Sequence, residues 1–173
     1  VRLPDNRSRL LVTNHHLILD GWSGPIVLAD LFALYHGATP PPPERDFEDF
    51  LRWLDTRDRA AARHAWARLL AEVEGPTLHA GGRDAETVSL PRDLELRVAP
   101  DVTGQLTDLG RRAGATLATV LEYAWALVLS RLTGQSTVVF GETVSGRPAD
   151  LDGAESMTGL FINTLPVVVD VDG

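Results

Sequence analysis

Asn14-His15-His16-Leu17-Ile18-Leu19-Asp20-Gly21-Trp22-Ser23 is the stretch on which the reading of this chain turns. Two histidines stand side by side, an aspartate follows four positions after the second, and a glycine comes directly behind it. Imidazole is the side chain best suited to moving a proton near neutral pH. A nearby carboxylate can fix the geometry around it, and a glycine lets the backbone turn sharply or approach a ligand closely. Taken from the residues alone, two accounts stay open. One is a proton-handling site. The other is a pair of satisfied core histidines with a capping aspartate, since polar clusters do not by themselves mark sites. A metal centre would need three or four convergent ligands. The sequence offers no His-Glu-x-x-His helix and no thiolate, so no metal is expected.

A second constellation lies further along. Phe140-Gly141-Glu142-Thr143-Val144-Ser145-Gly146-Arg147-Pro148 is followed by Glu155-Ser156-Met157 and by Gly159-Leu160-Phe161-Ile162-Asn163-Thr164-Leu165-Pro166. The first stretch resembles the His-His-x-x-x-Asp-Gly signature of the condensation domains of nonribosomal peptide synthetases. These belong to the chloramphenicol-acetyltransferase-like acyltransferases. The second resembles the later condensation motif, in which a strand leads into Ser-Gly-Arg-Pro and then Gly-Leu-Phe-Ile-Asn-Thr-Leu-Pro. The two stand in the family's order and at about its separation, and the likeness covers nearly the whole chain.

The resemblance implies a fold and a chemistry. The fold would be α/β, an α+β sandwich of the chloramphenicol-acetyltransferase type, built as two lobes. Residues 1–75 would end the N-terminal lobe, 76–90 would be the interlobe linker, and 91–173 would start the C-terminal lobe. The chain opens on Val1 and the family's earlier motifs are missing, so it reads as the excised middle of such a domain. The implied reaction joins an acyl or peptidyl thioester on an upstream carrier to the amino group of an amino acid on a downstream carrier. Both substrates ride on phosphopantetheine arms of peptidyl carrier domains, with an adenylation domain adjacent. No cofactor is bound directly.

Site roles follow from the same likeness. Neighbouring residues of an extended chain point to opposite faces. Only one of the two histidines can then face the substrate, and the resemblance makes it His16, with His15 packed on the other side. Whether His16 is a general base or orients the amine stays open. Asp20 would be structural, ion-paired to an arginine, and Arg147 is the candidate partner. Gly21 completes the supporting set. Related possibilities are an epimerisation-type domain, a stand-alone acyltransferase using coenzyme A, or a non-catalytic piece that only binds carriers. A heterocyclisation domain would carry aspartate in place of the histidines.

Composition agrees with one packed domain. Of 173 residues, 44% are hydrophobic, enough for a core. Net charge is −8, from 24 acidic and 16 basic residues, and no basic stripe invites nucleic acid. The chain has no cysteine, hence no disulfide frame and no thiol nucleophile. That absence is compatible with the cytoplasm, where this chemistry is expected. No apolar run is long enough for a bilayer, so no membrane partner is expected.

Local patterns predict the elements. Arg9 to Thr13 reads as a strand delivering the histidines. Gly24-Pro25 opens a helix to His36, stopped by Gly37. Pro40 to Pro43 is a stiff spacer. Phe47, Phe50, Leu51 and Leu54 recur at helical spacing, as do Ala62, Trp66, Leu69, Leu70 and Val73. Leu94 to Val98 alternates like a half-buried strand. Pro100 opens a helix that Gly114 closes, and Thr116 caps the next, which runs to Thr133. That last helix is apolar almost all round and is expected to be buried. Thr137 to Phe140 and Leu165 to Val171 read as strands. Phe161 is expected in the core, and Asn163 is the polar exception in its run.

Overall fold

The structure is a computed structural model that describes residues 1–78 and 93–172. In chain order it has α1 (Ser23–Tyr35), α2 (Phe47–Asp55), α3 (Arg59–Leu69), α4 (Pro100–Ala113), α5 (Leu117–Thr133), β1 (Thr137–Val144), a 3-10 turn at Ala154–Ser156, and β2 (Asn163–Asp170). β1 and β2 pair as a two-stranded sheet. The Val171 N–H donates to the Ser136 carbonyl at 3.0 Å, joining the end of one strand to the start of the other, so the pair is antiparallel.

The chain divides into two compact units. One takes residues 1–62 with 142–165, the other residues 63–141 with 166–173. The grouping follows contacts and not chain order, bringing residues 142–165 of the second motif into the same unit as the histidines. Most of the expected linker, from residue 79 onward, lies outside the described residues. In its described first residues, the Thr77 hydroxyl accepts the Val139 N–H at 2.9 Å.

The first unit is built on aromatic packing. Asp46 caps α2: its side chain accepts the N–H groups of Glu48 and Asp49, and the Asp49 carboxylate accepts the Asp46 N–H at 3.1 Å. This reciprocal box closes the helix start. It also sets Phe47, Phe50 and Trp53 on one face. Phe50, Leu151, Ala154, Met157 and Phe161 form the buried cluster, with Phe47 and Trp53 packed against it. The Phe161 ring centroid lies 4.6 Å from Phe50 and 5.1 Å edge-on to Phe47. Phe47 fits because residue 159 has no side chain. A Cβ there would come within 2.2 Å of the ring.

The second unit has a smaller core of Ala126, Leu129 and Val138, flanked by Phe140, Val169 and Val171. Gly114 ends α4 at φ +68° and lets the chain turn into α5. The Thr116 hydroxyl accepts the Thr119 N–H to cap α5, and Gly134 closes it at φ +73°.

Several expectations are corrected. Residues 9–13 are not a strand: Arg9 exchanges backbone bonds with Val1, but no described segment forms a ladder with residues 10–13, and Leu10, Leu11 and Val12 are exposed. Extended residues become a strand only when their N–H and C=O groups find a neighbour. The residues before them instead form a tight hairpin, Arg2 bridging Ser8, over Asp5 and Asn6 at φ 67° and 58°. Residues 94–98 fail as a strand for the same reason, and Leu94 is 95% exposed. The third helix ends at Leu69, short of Val73. In α5 only Ala126 and Leu129 are buried, while Leu121, Trp125 and Leu132 are about half exposed. An all-round apolar helix can be buried on every face, but only if something covers each one. Among the described residues no single helix is long and apolar enough to cross a membrane.

Candidate functional site

The histidines sit in a turn, not on a strand. The Ile18 N–H donates to the His15 carbonyl at 3.0 Å, and the Leu17 N–H donates to His15 Nδ1 at 3.0 Å. The second bond occupies the Nδ1 lone pair and leaves Nε2 to carry the proton of the neutral ring. His15 and His16 are both exposed. The expected division into one packed and one exposed ring is therefore not seen, because the turn removes the two-faced geometry of a strand.

Four residues on, the chain goes under cover. Asp20 is buried and Ser23 is fully buried. Asp20 Oδ1 accepts the Ser23 N–H at 2.9 Å and the Ser23 hydroxyl at 2.8 Å. Oδ2 accepts the N–H groups of Phe161 at 3.1 Å and Ile162 at 3.4 Å. The Asp20 N–H donates to the Gly159 carbonyl at 3.1 Å. A carboxylate at the start of α1 also complements the positive end of that helix.

Arg147 closes the cluster from the other side. Nη2 lies 3.4 Å from Asp20 Oδ1, with side chains 4% and 2% exposed, and 3.2 Å from Ser23 Oγ. Nη1 donates to the carbonyls of Ala154 and Met157. The guanidinium carbon stands 4.0 Å from the Phe161 ring centroid, a cation–π contact. The turn into Arg147 depends on Gly146, at φ +66°, where a Cβ would fall 1.7 Å from the Phe161 carbonyl oxygen.

Burial by itself would raise the Asp20 carboxyl pKa. The Ser23 hydroxyl, the N–H groups of Ser23 and Phe161, and the Arg147 charge outweigh it and hold the value at about 2, below the ordinary 3.8. Asp20 is thus a fixed anion whose lone pairs are spent on the backbone, Ser23 and Arg147.

The structure thus brings Asp20 and Arg147 together and leaves His15 and His16 on an exposed turn. Gly21 has open space where a Cβ would stand, so packing does not require glycine there. Asn163 is exposed, and its side-chain oxygen accepts the Thr164 N–H at 2.8 Å. Two features were missed from sequence. Ser23 is the centre of the buried network, and its signal was an Asp-x-x-Ser spacing entering a helix. Gly159 is a close-approach glycine, readable only once Phe47 is placed. Among the described residues no group of three His, Asp or Glu side chains is placed to hold a metal ion. An open groove of about 870 Å³, lined in part by Ile26, Asp30, Pro42 and Phe47, contains none of these site residues.

Comparison with known proteins gives a consistent picture. The family model for the condensation domain matches residues 1–173. One of the linear gramicidin synthase polypeptides of Brevibacillus parabrevis is 41% identical over 185 residues, covering 99% of this chain and 2% of that protein. Surfactin synthase subunit 3 of Bacillus subtilis is 35% identical over 158 residues, covering 88% of this chain and 12% of that protein. The chain thus spans only a small part of these curated relatives. Among solved structures, the first condensation domain of the CDA synthetase superposes with a TM-score of 0.67 at 26% identity, over 91% of this chain and 36% of that one.

Proposed function

The chain belongs to the condensation-domain family, and we propose that it serves amide-bond formation between two carrier-bound substrates. In this reading an acyl or peptidyl group arrives as a thioester on the phosphopantetheine arm of an upstream carrier. The amino group of a downstream carrier-bound amino acid attacks the thioester carbonyl. The C–S bond breaks, the C–N bond forms, the upstream arm leaves as a thiol, and the amine gives up a proton. The protein's tasks are modest because the thioester is already activated. It must hold the two arms at attack distance and manage the amine proton.

His16 is the residue we assign to the amine, presented on the exposed turn. Asp20, Arg147 and Gly21 are assigned to support, and His15 to shaping the turn. Residues 1–75 and 91–173 are read as parts of two successive lobes joined across 76–90, working beside carrier and adenylation domains in the cytoplasm. The observation that carries the reading is the closure of the Asp20 end of the histidine motif on Ser-Gly-Arg-Pro and Gly-Leu-Phe-Ile through one buried network. The exposure of both histidines favours a second reading, carrier binding without chemistry.

The test loads an acyl thioester on the upstream carrier and a Cα-deuterated amino acid on the downstream one, then follows products by mass spectrometry. The expected result is an amide that disappears in His16→Ala and persists in His15→Ala. Amide formation unchanged in His16→Ala would overturn the assignment. Loss of Cα deuterium without amide would point to an epimerisation-type reaction, and carrier binding with neither would leave the docking role.

A further inference from the structure

We propose that Ser23 is a positioning residue for this reaction, the hub that sets where the His16 turn stands; the inference rests on the function proposed above. Ser23 is 0% exposed. Its hydroxyl oxygen accepts the Gly159 N–H at 3.0 Å and Arg147 Nη2 at 3.2 Å. Its single proton faces two acceptors, Asp20 Oδ1 at 2.8 Å and the Gly159 carbonyl at 2.9 Å. A hydroxyl has one donor and two lone pairs, so every capacity of this oxygen is used. No apolar side chain could stand in for it without leaving two buried donors short of an acceptor.

The consequence reaches His16 through the backbone. The turn at residues 15–18 is closed locally, so its place is fixed by where the chain anchors next. That anchor is Asp20, whose N–H bonds the Gly159 carbonyl and whose carboxylate bonds the N–H groups of Phe161 and Ile162. Ser23 grips Gly159 by both its N–H and its carbonyl. It therefore holds residues 159–162 at the register that Asp20 needs. Without the hydroxyl that segment loses its ties to Ser23, Asp20 moves with it, and the imidazole moves too. Small misplacement of a reacting group lowers the chemical step while leaving substrate docking alone.

The experiment compares Ser23→Ala and Ser23→Thr in the full-length protein, well below each variant's melting temperature, with both carriers loaded. Rates are expressed per folded molecule. Ser23→Ala is expected to lower kcat about 100-fold with KM for the carriers unchanged. Ser23→Thr, which restores the hydroxyl, is expected within about threefold of the wild type. A role confined to stability would leave kcat per folded molecule untouched, and that result overturns the proposal. A folded Ser23→Thr as slow as alanine also overturns it. If Ser23→Ala does not fold, the threonine variant decides alone, and a folded Ser23→Thr slower than the wild type by more than about threefold overturns the proposal. Amide exchange at Gly159 separates this inference from the function it rests on. It should quicken about tenfold in Ser23→Ala and not in His16→Ala. If the wild type forms no amide, the proposed reaction fails, and unchanged Gly159 exchange would then sink the hub as well.

Discussion

Replacing Gly146 by alanine should be among the most damaging single-methyl changes in this protein. The magnitude has two parts. The residue sits at φ +66°, a left-handed conformation that costs an L-residue about 1–2 kcal/mol. The added Cβ would also lie 1.7 Å from the Phe161 carbonyl oxygen, where ordinary contact begins at 3.4 Å. That oxygen belongs to backbone, so it cannot swing away as a side chain would. The Phe161 N–H donates to Asp20 at 3.1 Å, and the Ile162 N–H reaches the same carboxylate oxygen at 3.4 Å. Moving the carbonyl drags both. Leaving a buried donor or acceptor partly unmet costs about 1–3 kcal/mol, so the total comes to roughly 2–5 kcal/mol. Gly37 isolates the first part. It sits at φ +80° with nothing within 4 Å of where an added methyl would stand, so Gly37→Ala should cost only about 1 kcal/mol. Urea unfolding of the two variants side by side measures the difference. Equal losses would mean that the close approach of residues 146 and 161 contributes nothing, and the packing argument would fall.

Other outcomes follow from the same network. Arg147→Ala should destabilise by about 3–5 kcal/mol, because it removes the counter-charge of a buried carboxylate and the donor to the Ala154 and Met157 carbonyls; a melting temperature unchanged while activity falls would contradict a structural role. Asp20 has a folded pKa of about 2, below its ordinary 3.8, so its stabilisation is complete above about pH 4 and lost as pH falls toward 2. The gap between those two values corresponds to about 2 kcal/mol. Unfolding measured between pH 5 and 2 should lose that slope in Asp20→Asn, and a slope that survives would assign the acid sensitivity elsewhere. His15→Ala and His16→Ala should each change stability by less than about 0.5 kcal/mol, since both rings are exposed; a larger loss in His16→Ala would mean that its ring packs.

Helix ends were legible in the sequence because their determinants are local. Pro100, Gly114 and Thr116 each satisfy or release a backbone group within a turn, and the structure has them at the expected helix termini. The strand pair was legible from its continuous apolar runs, although β1 extends four residues past Phe140. What failed was whatever depended on a distant partner. Residues 9–13 and 94–98 have strand-like patterns, but a pattern supplies no neighbour. The apolar ring of α5 announced what it could bury, not what would cover it. Within the site, the meeting of Asp20 and Arg147 was suggested by family likeness alone, since 127 positions separate them. Ser23 was passed over because a serine after a motif glycine looks like an ordinary helix entry. Its importance appears only when Gly159, 136 residues away, is seen on both sides of its hydroxyl.

That network also reorders the roles within the buried cluster. The resemblance cast Asp20 and Arg147 as an ion pair, yet their contact at 3.4 Å is longer than the three Asp20 bonds made by the Ser23 N–H, the Ser23 hydroxyl and the Phe161 N–H. Charge-assisted bonds to a carboxylate are strongest when short. The backbone and Ser23 therefore do most of the holding, and the Arg147 charge adds to an anion already fixed. Arg147 in turn spends Nη1 on the Ala154 and Met157 carbonyls and sets its guanidinium over the Phe161 ring. It organises the loop that follows Ser-Gly-Arg-Pro at least as much as it neutralises Asp20. Desolvating two charges is offset here because each finds several bonds besides the other. Arginine suits this position through its fork of donors and flat face, which a lysine ammonium would not reproduce.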